Sequence, residues 1–577
     1  MNDATLSAVR LPEAQAPRTT SRAKMDEAID RLLDGAARFS ALSLHERIAL
    51  ARSMQSGYMR VAEASVEATC AAKGIPMEYH GAEWAMGPWI PVRGLRLIIE
   101  SLEALERRGN TPIGKIGHTR DGRLFVGVFP ANAIDSVLFS KVVVDVHMAK
   151  DVTERDIAAR ARFYKDPQSG GSITLILGAG NIEAILSFDI ITKMFNEGKV
   201  CVVKMNPVNA YLGPYLEQAY RESIERGFLA FVYGGMEEGA YIAQHPAVEE
   251  VHLTGSDKTY EALVWGPPGL ERERRKARDE RVLDKPVTAE LGNVSPVIVV
   301  PGSYTDAELR YQAEEVAGAL ALNASYCCCA PKVLVTAEGW AQREKFLRMI
   351  EEVLERMPPR VSYYPGAAER YRLFTADRDK VTKFGAKDDR VLPWTLVTDL
   401  DPENTADLAF NRESFCPVLF ETALASADQA DFLNHAVRFA NETLWGTLNA
   451  TLITPSMSAR DVDFDAVLES AIRELRYGTV AVNAYPAMSF AFGTPPWGAY
   501  PGADARDIQS GTGFVHNTAM LEGIEKVVMC HPLTTFPKPP YFPSHRSVDR
   551  LVPRLTALDE HASWLKVPGV VATAMRC

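Results

Sequence analysis

Apolar residues recur at helical spacing over 24–39, at Met25, Ala28, Ile29, Leu32, Leu33, Ala36 and Phe39. That interval of three to four predicts an amphipathic helix. A second helical stretch runs from about Glu46 to Gly74-Ile75-Pro76, a Gly-then-Pro terminator. The two predict an N-terminal helical pair. From residue 173 the pattern changes. ITLIL (173–177), VCVV (200–203), AFVYGG (230–235) and VEEVHLTGS (248–256) read as strands separated by helical stretches. This alternation predicts a parallel, doubly wound sheet. Right-handed crossovers then place the loops that follow the strands along one sheet edge. A second series begins near 291. SPVIVV (295–300), KVLVT (332–336), PVLFET (417–422), NATLIT (449–454) and GTVAVN (478–483) read as strands, with helices over 306–322, 340–356 and 428–440. Two such series predict two large α/β units with a cleft between them, a usual place for a cofactor or small substrate. From about His531 the chain turns proline-rich, with FPKPPYFP at its centre. An extended arm is expected there, followed by a short amphipathic helix near 546–565.

Composition narrows the function. Of 577 residues, 47% are hydrophobic and 24% charged, so the bulk of the chain is globular. The net charge of -11 repels phosphate backbones and argues against nucleic-acid binding. No apolar run reaches the roughly 18–20 residues of a membrane span. The first residues have no apolar core of a secretory signal, and Asp3 and Glu13 argue against a mitochondrial presequence. A cytoplasmic protein is expected. The chain has no C-x-x-C and no H-E-x-x-H, so no metal site is expected. Cys327, Cys328 and Cys329 are consecutive and cannot all pair locally with good disulfide geometry.

The most informative segments are VTAELGNVSP (287–296) and NASYCCCAPKVLV (323–335). LILGAGNIEAI (175–185), VCVVKMNP (200–207), VHLTGS (251–256), ESFCPVLF (413–420), GTVAVNAY (478–485) and PPWGAYPG (495–502) complete the set. In this order they resemble the aldehyde dehydrogenase superfamily, over roughly 25–530. The resemblance implies an α/β, aldehyde dehydrogenase-like fold: two doubly wound α/β domains with a cleft between them, plus a small oligomerisation element. The expected division is a disordered lead-in (1–22), N-terminal helices with a Rossmann-like dinucleotide-binding domain (23–290), a catalytic α/β domain (291–505), and an oligomerisation strand with a Pro-rich extension (506–577). EGIEKVVM (522–529) is similar to the family's oligomerisation strand, which implies a homodimer or homotetramer.

The implied chemistry is oxidation of an aldehyde to its acid with NAD or NADP. An aldehyde carbon is electrophilic, so hydride loss requires prior attack by a nucleophile, and a thiolate does this well. By resemblance the nucleophile is Cys328, with Cys327 and Cys329 as small buried neighbours. Asn181 and the backbone N–H of Cys328 would stabilise the alkoxide. Glu290 would activate the water that hydrolyses the thioester. Lys204 would contact the adenosine ribose. Gly255 and Ser256 would face the pyrophosphate at a helix start. Glu413 would hold the nicotinamide ribose, with Phe415 packed near that ring. Gly178-Ala179-Gly180 is not a phosphate loop, because Glu183 stands where a third glycine would be needed.

The chain departs from the family pattern at several places. Asn293 replaces the second glycine of the glutamate motif, and Ser325-Tyr326 replace a Gly-Gln pair. Pro207 stands where NAD-preferring members carry a glutamate, which removes a repulsion against a 2′-phosphate and leaves NAD and NADP both open. The apolar segment 122–148 and the tail 531–577 exceed a plain family member. Tyr485, Phe490, Phe492 and Trp497, with Ile182 and Leu186, suggest an apolar or aromatic aldehyde. Two alternatives stand beside this reading: a coenzyme A-acylating enzyme or acyl reductase, and a non-catalytic dinucleotide-binding scaffold.

Overall fold

The computed structural model describes residues 17–165, 171–385, 390–456 and 463–576. Of the lead-in expected over 1–22, residues 1–16 lie outside the described residues. The N-terminal pair is formed by helices Arg22–Ser40 and Leu44–Lys73. Ser43 and Glu46 cap the second reciprocally, and Gly74 ends it in the left-handed region at φ 64°, a conformation that suits glycine. A third helix, Ile90–Arg108, follows a short helical turn and was not marked by the sequence pattern. It is buried over most of its length, covering Val92, Leu95, Ile98 and Leu102 but also Arg93 and Arg96.

The first sheet has the order Gly511–Thr512, Val287–Glu290, Val248–Thr254, Ile173–Leu177, Val200–Lys204, Leu229–Val232. Its last five strands are parallel. The central runs are buried apart from the partly exposed Leu177, as expected of strands covered on both faces. The second sheet is larger. Its parallel centre runs Thr479–Val482, Asn449–Ile453, Pro296–Val299, Val333–Ala337, Val418–Leu424 and Trp394–Leu400. Trp394–Leu400 and the edge strand Val381–Phe384 lie in a stretch to which the sequence pattern assigns no strand.

The other end of this sheet concerns segments whose role was open. The apolar segment 122–148 supplies strands Leu124–Phe129 and Val143–Met148 to the second sheet, not to the first. Strand Ile524–Cys530 pairs antiparallel with Val143–Met148 and parallel with Thr479–Val482 of the same chain. The tail beyond it lies on its own chain. It carries the expected helix as Val548–Glu560 and a second one, Val567–Ala574. No helix among the described residues is long and apolar enough to cross a membrane.

Candidate active site

The three-cysteine segment begins where helix Asp306–Ala321 stops. Asn323, Ala324 and Ser325 are all left-handed, with φ of 51°, 54° and 68°. Three such residues in a row are costly outside glycine. Hydrogen bonds hold them. The Asn323 side-chain N–H donates to the carbonyls of Asn181 and Tyr326, both at 2.9 Å. Its oxygen accepts from Lys73 Nζ at 3.0 Å and from the Tyr363 hydroxyl at 3.0 Å. Asn181 Nδ2 donates to the Tyr326 carbonyl at 3.1 Å. The loop after strand Ile173–Leu177 is thereby tied to the loop that carries the thiols.

The three sulfur atoms lie within 4.8 Å of one another, with Cys327 Sγ 3.2 Å from Cys329 Sγ. The Tyr485 hydroxyl is 3.4 Å from Cys329 Sγ and 3.6 Å from Cys327 Sγ. The cluster favours a single thiolate. Thiol donation from Cys328 and Cys329 holds Cys327 well below the ordinary thiol range. Donation toward Cys327 raises the other two. Cys327 and Cys329 are buried, as expected of small neighbours, and Cys328 is half-buried.

Glu290 ends strand Val287–Glu290. It is 6% exposed and its Oε1 has no partner among the described residues. Burial pushes its carboxyl up to about 8. Asn293 does not crowd it. The Asn293 amide turns into the second sheet, donating to Asn449 O at 2.8 Å and Ser295 Oγ at 3.2 Å. Ser295 in turn donates to the Cys328 carbonyl at 3.2 Å, so the departure braces the nucleophile turn. Tyr326 likewise has a use. Its ring lies 5.6 Å from Tyr364 and 5.8 Å from Phe415, and its hydroxyl meets Ser362 Oγ at 2.6 Å.

Two cavities meet at these residues. On one side is a mixed polar and apolar cleft of ≈ 540 Å³, bordered by Ser256, Lys258, Glu413 and Phe415. On the other is a chamber of ≈ 110 Å³ with almost wholly apolar walls. Cys328 and Glu290 line both. Asn181 lines the cleft and Ile182 the chamber.

The cleft fits a dinucleotide. Gly255 donates to the Glu290 carbonyl at 3.1 Å, and Ser256 caps helix Asp257–Trp265, whose first N–H groups favour an anion. Glu413 keeps a buried Oε1 without a partner, an acceptor suited to a ribose hydroxyl, and burial pushes its carboxyl up to about 8. A Cβ at residue 292 would sit 2.1 Å from Glu413 Oε2, so glycine is required there. Phe415 adopts φ 42° and packs edge-on against Tyr364 at 5.0 Å. Lys204 is not on the cleft wall. It is buried at the end of its strand beside Gly239, and that burial lowers its basicity. Arg370, Lys258 and Trp445 also border the cleft and had no signal in the sequence.

Residues 171–361 match the family model described as the aldehyde dehydrogenase family. Aminoaldehyde dehydrogenase 2, peroxisomal, of Malus domestica is 25% identical over 284 residues, covering 46% of this chain and 48% of the relative. The human 4-trimethylaminobutyraldehyde dehydrogenase is 29% identical over 163 residues, covering 27% of this chain and 28% of that protein. The chain thus matches about half or less of these relatives' length. Among solved structures, the NADP-dependent glyceraldehyde-3-phosphate dehydrogenase of Bacillus halodurans C-125, complexed with NADP, aligns with a TM-score of 0.59 at 18% identity, covering 88% of this chain and 91% of that one. Aldehyde dehydrogenase 21 of Physcomitrella patens, in complex with the reaction product succinate, aligns with a TM-score of 0.58 at 16% identity, covering 90% and 92%. These structural likenesses bear on the fold. The fold is that of the aldehyde dehydrogenase structures, and residues 171–361 match the aldehyde dehydrogenase family.

Proposed function

We propose that the protein oxidises an uncharged apolar or aromatic aldehyde to its carboxylic acid, using NAD or NADP. The observation that carries this reading is the position of Cys328 and Glu290 on the shared wall of an apolar chamber and a cleft suited to a dinucleotide. A nicotinamide dinucleotide bound in the cleft supplies the hydride acceptor. Ser256, Glu413 and Phe415 would hold it there.

The chain's own residues do the rest. Passage of the Cys328 proton to Cys327 within the thiol cluster leaves the thiolate on the sulfur that reaches both cavities. That sulfur bonds to the carbonyl carbon, and the carbonyl oxygen becomes an alkoxide. Asn181 spends one side-chain N–H on Tyr326 and has a second for the alkoxide, beside the Cys328 backbone N–H. Hydride departure leaves a thioester on Cys328. Glu290 as carboxylate takes a proton from water, the hydroxide attacks the thioester, and the acid leaves as the thiolate is restored. A coenzyme A-acylating enzyme would not need this carboxylate.

The test is reduced-nicotinamide formation with an aldehyde panel, NAD and NADP in parallel, beside Cys328→Ala and Glu290→Gln. Turnover abolished in Cys328→Ala supports the covalent route. Full activity of Glu290→Gln with coenzyme A as acceptor would replace hydrolysis with acylation. Cofactor binding without turnover in the wild type would leave only a scaffold.

A further inference from the structure

We propose that the C-terminal segment is the specificity wall of the substrate chamber. It restricts the site to uncharged aldehydes bearing one ring or a chain of about six carbons. This rests on the proposed oxidation of an aldehyde at Cys328 and names its substrate class.

The segment is built into the site. Its arm lies along helix Asp306–Ala321, which leads into the nucleophile loop. Gln312 Nε2 donates to the Leu533 carbonyl at 2.6 Å, Tyr311 meets Thr535 Oγ1 at 2.8 Å, and Glu314 accepts from Lys538 and from Ser544 N at 2.5 and 2.8 Å. A Cβ at Gly318 would sit 2.7 Å from the Tyr541 carbonyl, so the glycine lets the arm lie flat. The Tyr541 hydroxyl donates to buried Glu315, and its ring packs edge-on against Tyr485, 5.4 Å away. Helix Val548–Glu560 then crosses the N-terminal helices. Val548, Val552 and Leu555 fall on one helical face and line the chamber together with Tyr541.

Buried charge fixes that helix in place. Asp559 accepts from Trp89 Nε1 at 2.7 Å, Arg96 Nη2 at 2.7 Å and Arg93 Nη1 at 3.1 Å. Trp89, in the helical turn just before the third helix, is itself a chamber wall, so one carboxylate ties the wall contributed by the tail to the wall contributed by that turn. At the other end of the helix, Asp549 accepts from Gly81 N at 2.7 Å.

Volume and charge then set the substrate. The chamber measures ≈ 110 Å³, less than the about 150 Å³ of a dry apolar cavity that holds benzene, so one ring or about six carbons is its upper limit, with the carbonyl end at the Cys328 boundary with the cleft. A dodecyl chain would have to displace the tail wall or extend out of the chamber. Apart from the thiols, Glu290 is the only acidic or basic side chain on the chamber wall among the described residues, and these groups belong to the chemistry. A carboxylate or ammonium on the substrate would be desolvated with no fixed partner.

The experiment compares kcat/KM for acetaldehyde, hexanal, benzaldehyde, dodecanal and 4-trimethylaminobutyraldehyde. Wild type, Val552→Ala, Leu555→Ala and Val552→Phe are tested. Ratios are read, because they cancel any change in the folded fraction. The wild type is expected to favour hexanal and benzaldehyde over dodecanal and the cationic aldehyde by about tenfold or more. The alanine variants should raise the dodecanal-to-hexanal ratio by about tenfold, and Val552→Phe should lower the benzaldehyde-to-acetaldehyde ratio by a similar factor. Ratios unmoved in all three variants, or a wild-type preference for the cation, would overturn the proposal. A wild type that turns over no aldehyde would instead sink the catalytic reading. The wall is then read by calorimetry with benzamide on Cys328→Ser: binding weakened about tenfold by added Val552→Phe supports it, and unchanged or undetectable binding refutes it.

Discussion

At the scale of single residues, one proton on Glu290 links chemistry to stability. Burial holds the carboxyl near 8, so at neutral pH most molecules carry it protonated and unable to act as a base. The deacylation rate should therefore rise with pH through about 8, and Glu290→Gln should flatten that limb and lower kcat by about 10²–10⁴. Pre-steady-state acid release across pH 6–9 checks both. The sign for folding is opposite. Glu290, Glu315 and Glu413 all sit near 8 in the fold against an ordinary value of 4.5. Between about 4.5 and 8 the folded chain binds more protons than the unfolded chain, so stability falls as pH rises through that window. Urea midpoints of the free protein should be higher at pH 5.5 than at pH 8, with a shallower fall in Glu290→Gln. A flat profile would contradict the burial of these three carboxyls. Asn181 gives a separate test. In the proposed mechanism Asn181→Ala removes an alkoxide donor, besides its bond to Tyr326, and the donor alone predicts a kcat loss of about 10²–10³. Rapid-quench acylation should carry that loss, with little change in KM.

At the scale of elements, the chain announced most of what holds the reacting atoms and little of what walls them in. Strand Ile173–Leu177 and the loop with Asn181 were legible because a buried parallel strand is a continuous apolar run. The thiol loop was legible from its order after Glu290. Helix Ile90–Arg108 escaped notice because its arginines interrupt the apolar stripe, and only the fold shows them meeting Asp135 and Asp559. The tail arm was visible from Pro532, Pro537, Pro539, Pro540 and Pro543, but proline content fixes an extended backbone, not the surface it lies on. Lys204 shows the reverse limit: motif position put it at the right strand end, while the side chain is buried beside Gly239. The Asp559 contact carries an element-scale prediction. Asp559→Ala leaves the buried Arg93 and Arg96 guanidiniums short of an anion, a change that costs about 3–5 kcal/mol where a buried pair is broken. Thermal melts should show a large loss. Limited proteolysis should cut within 531–577 first if the helix is released locally. Wild-type melting and cleavage would show that the clasp holds nothing.

At the scale of the whole molecule, the question is whether strand Ile524–Cys530 serves its own chain or a partner. Its likeness to the family's oligomerisation strand predicts a homodimer or homotetramer, yet both its edges are taken within this chain, by Val143–Met148 and by Thr479–Val482. The pairing is anchored. Lys526 is 1% exposed and donates to the carbonyls of Ile472 at 3.0 Å, Arg473 at 2.8 Å and Leu475, capping the end of helix Phe464–Glu474. Arg123, beside strand Leu124–Phe129, pairs with Glu525. A strand with no free N–H or C=O edge offers no template for a second chain. The sheet's remaining edges are the three-residue strand Ile116–His118 and the four-residue strand Val381–Phe384, both short, as edges that resist pairing tend to be. Light scattering on dilution decides between one chain, 63.5 kDa, and the expected homodimer or homotetramer; a constant single-chain mass is the outcome if this ladder closes within each copy. Lys526→Met should loosen the pairing and speed amide exchange across 143–148 and 524–530 together, because the two strands share one hydrogen-bond ladder. A wild-type dimer that survives dilution and protects those amides only while intact would mean that the same ladder forms between chains. The closed sheet described above would then be exchanged between two copies rather than completed by one.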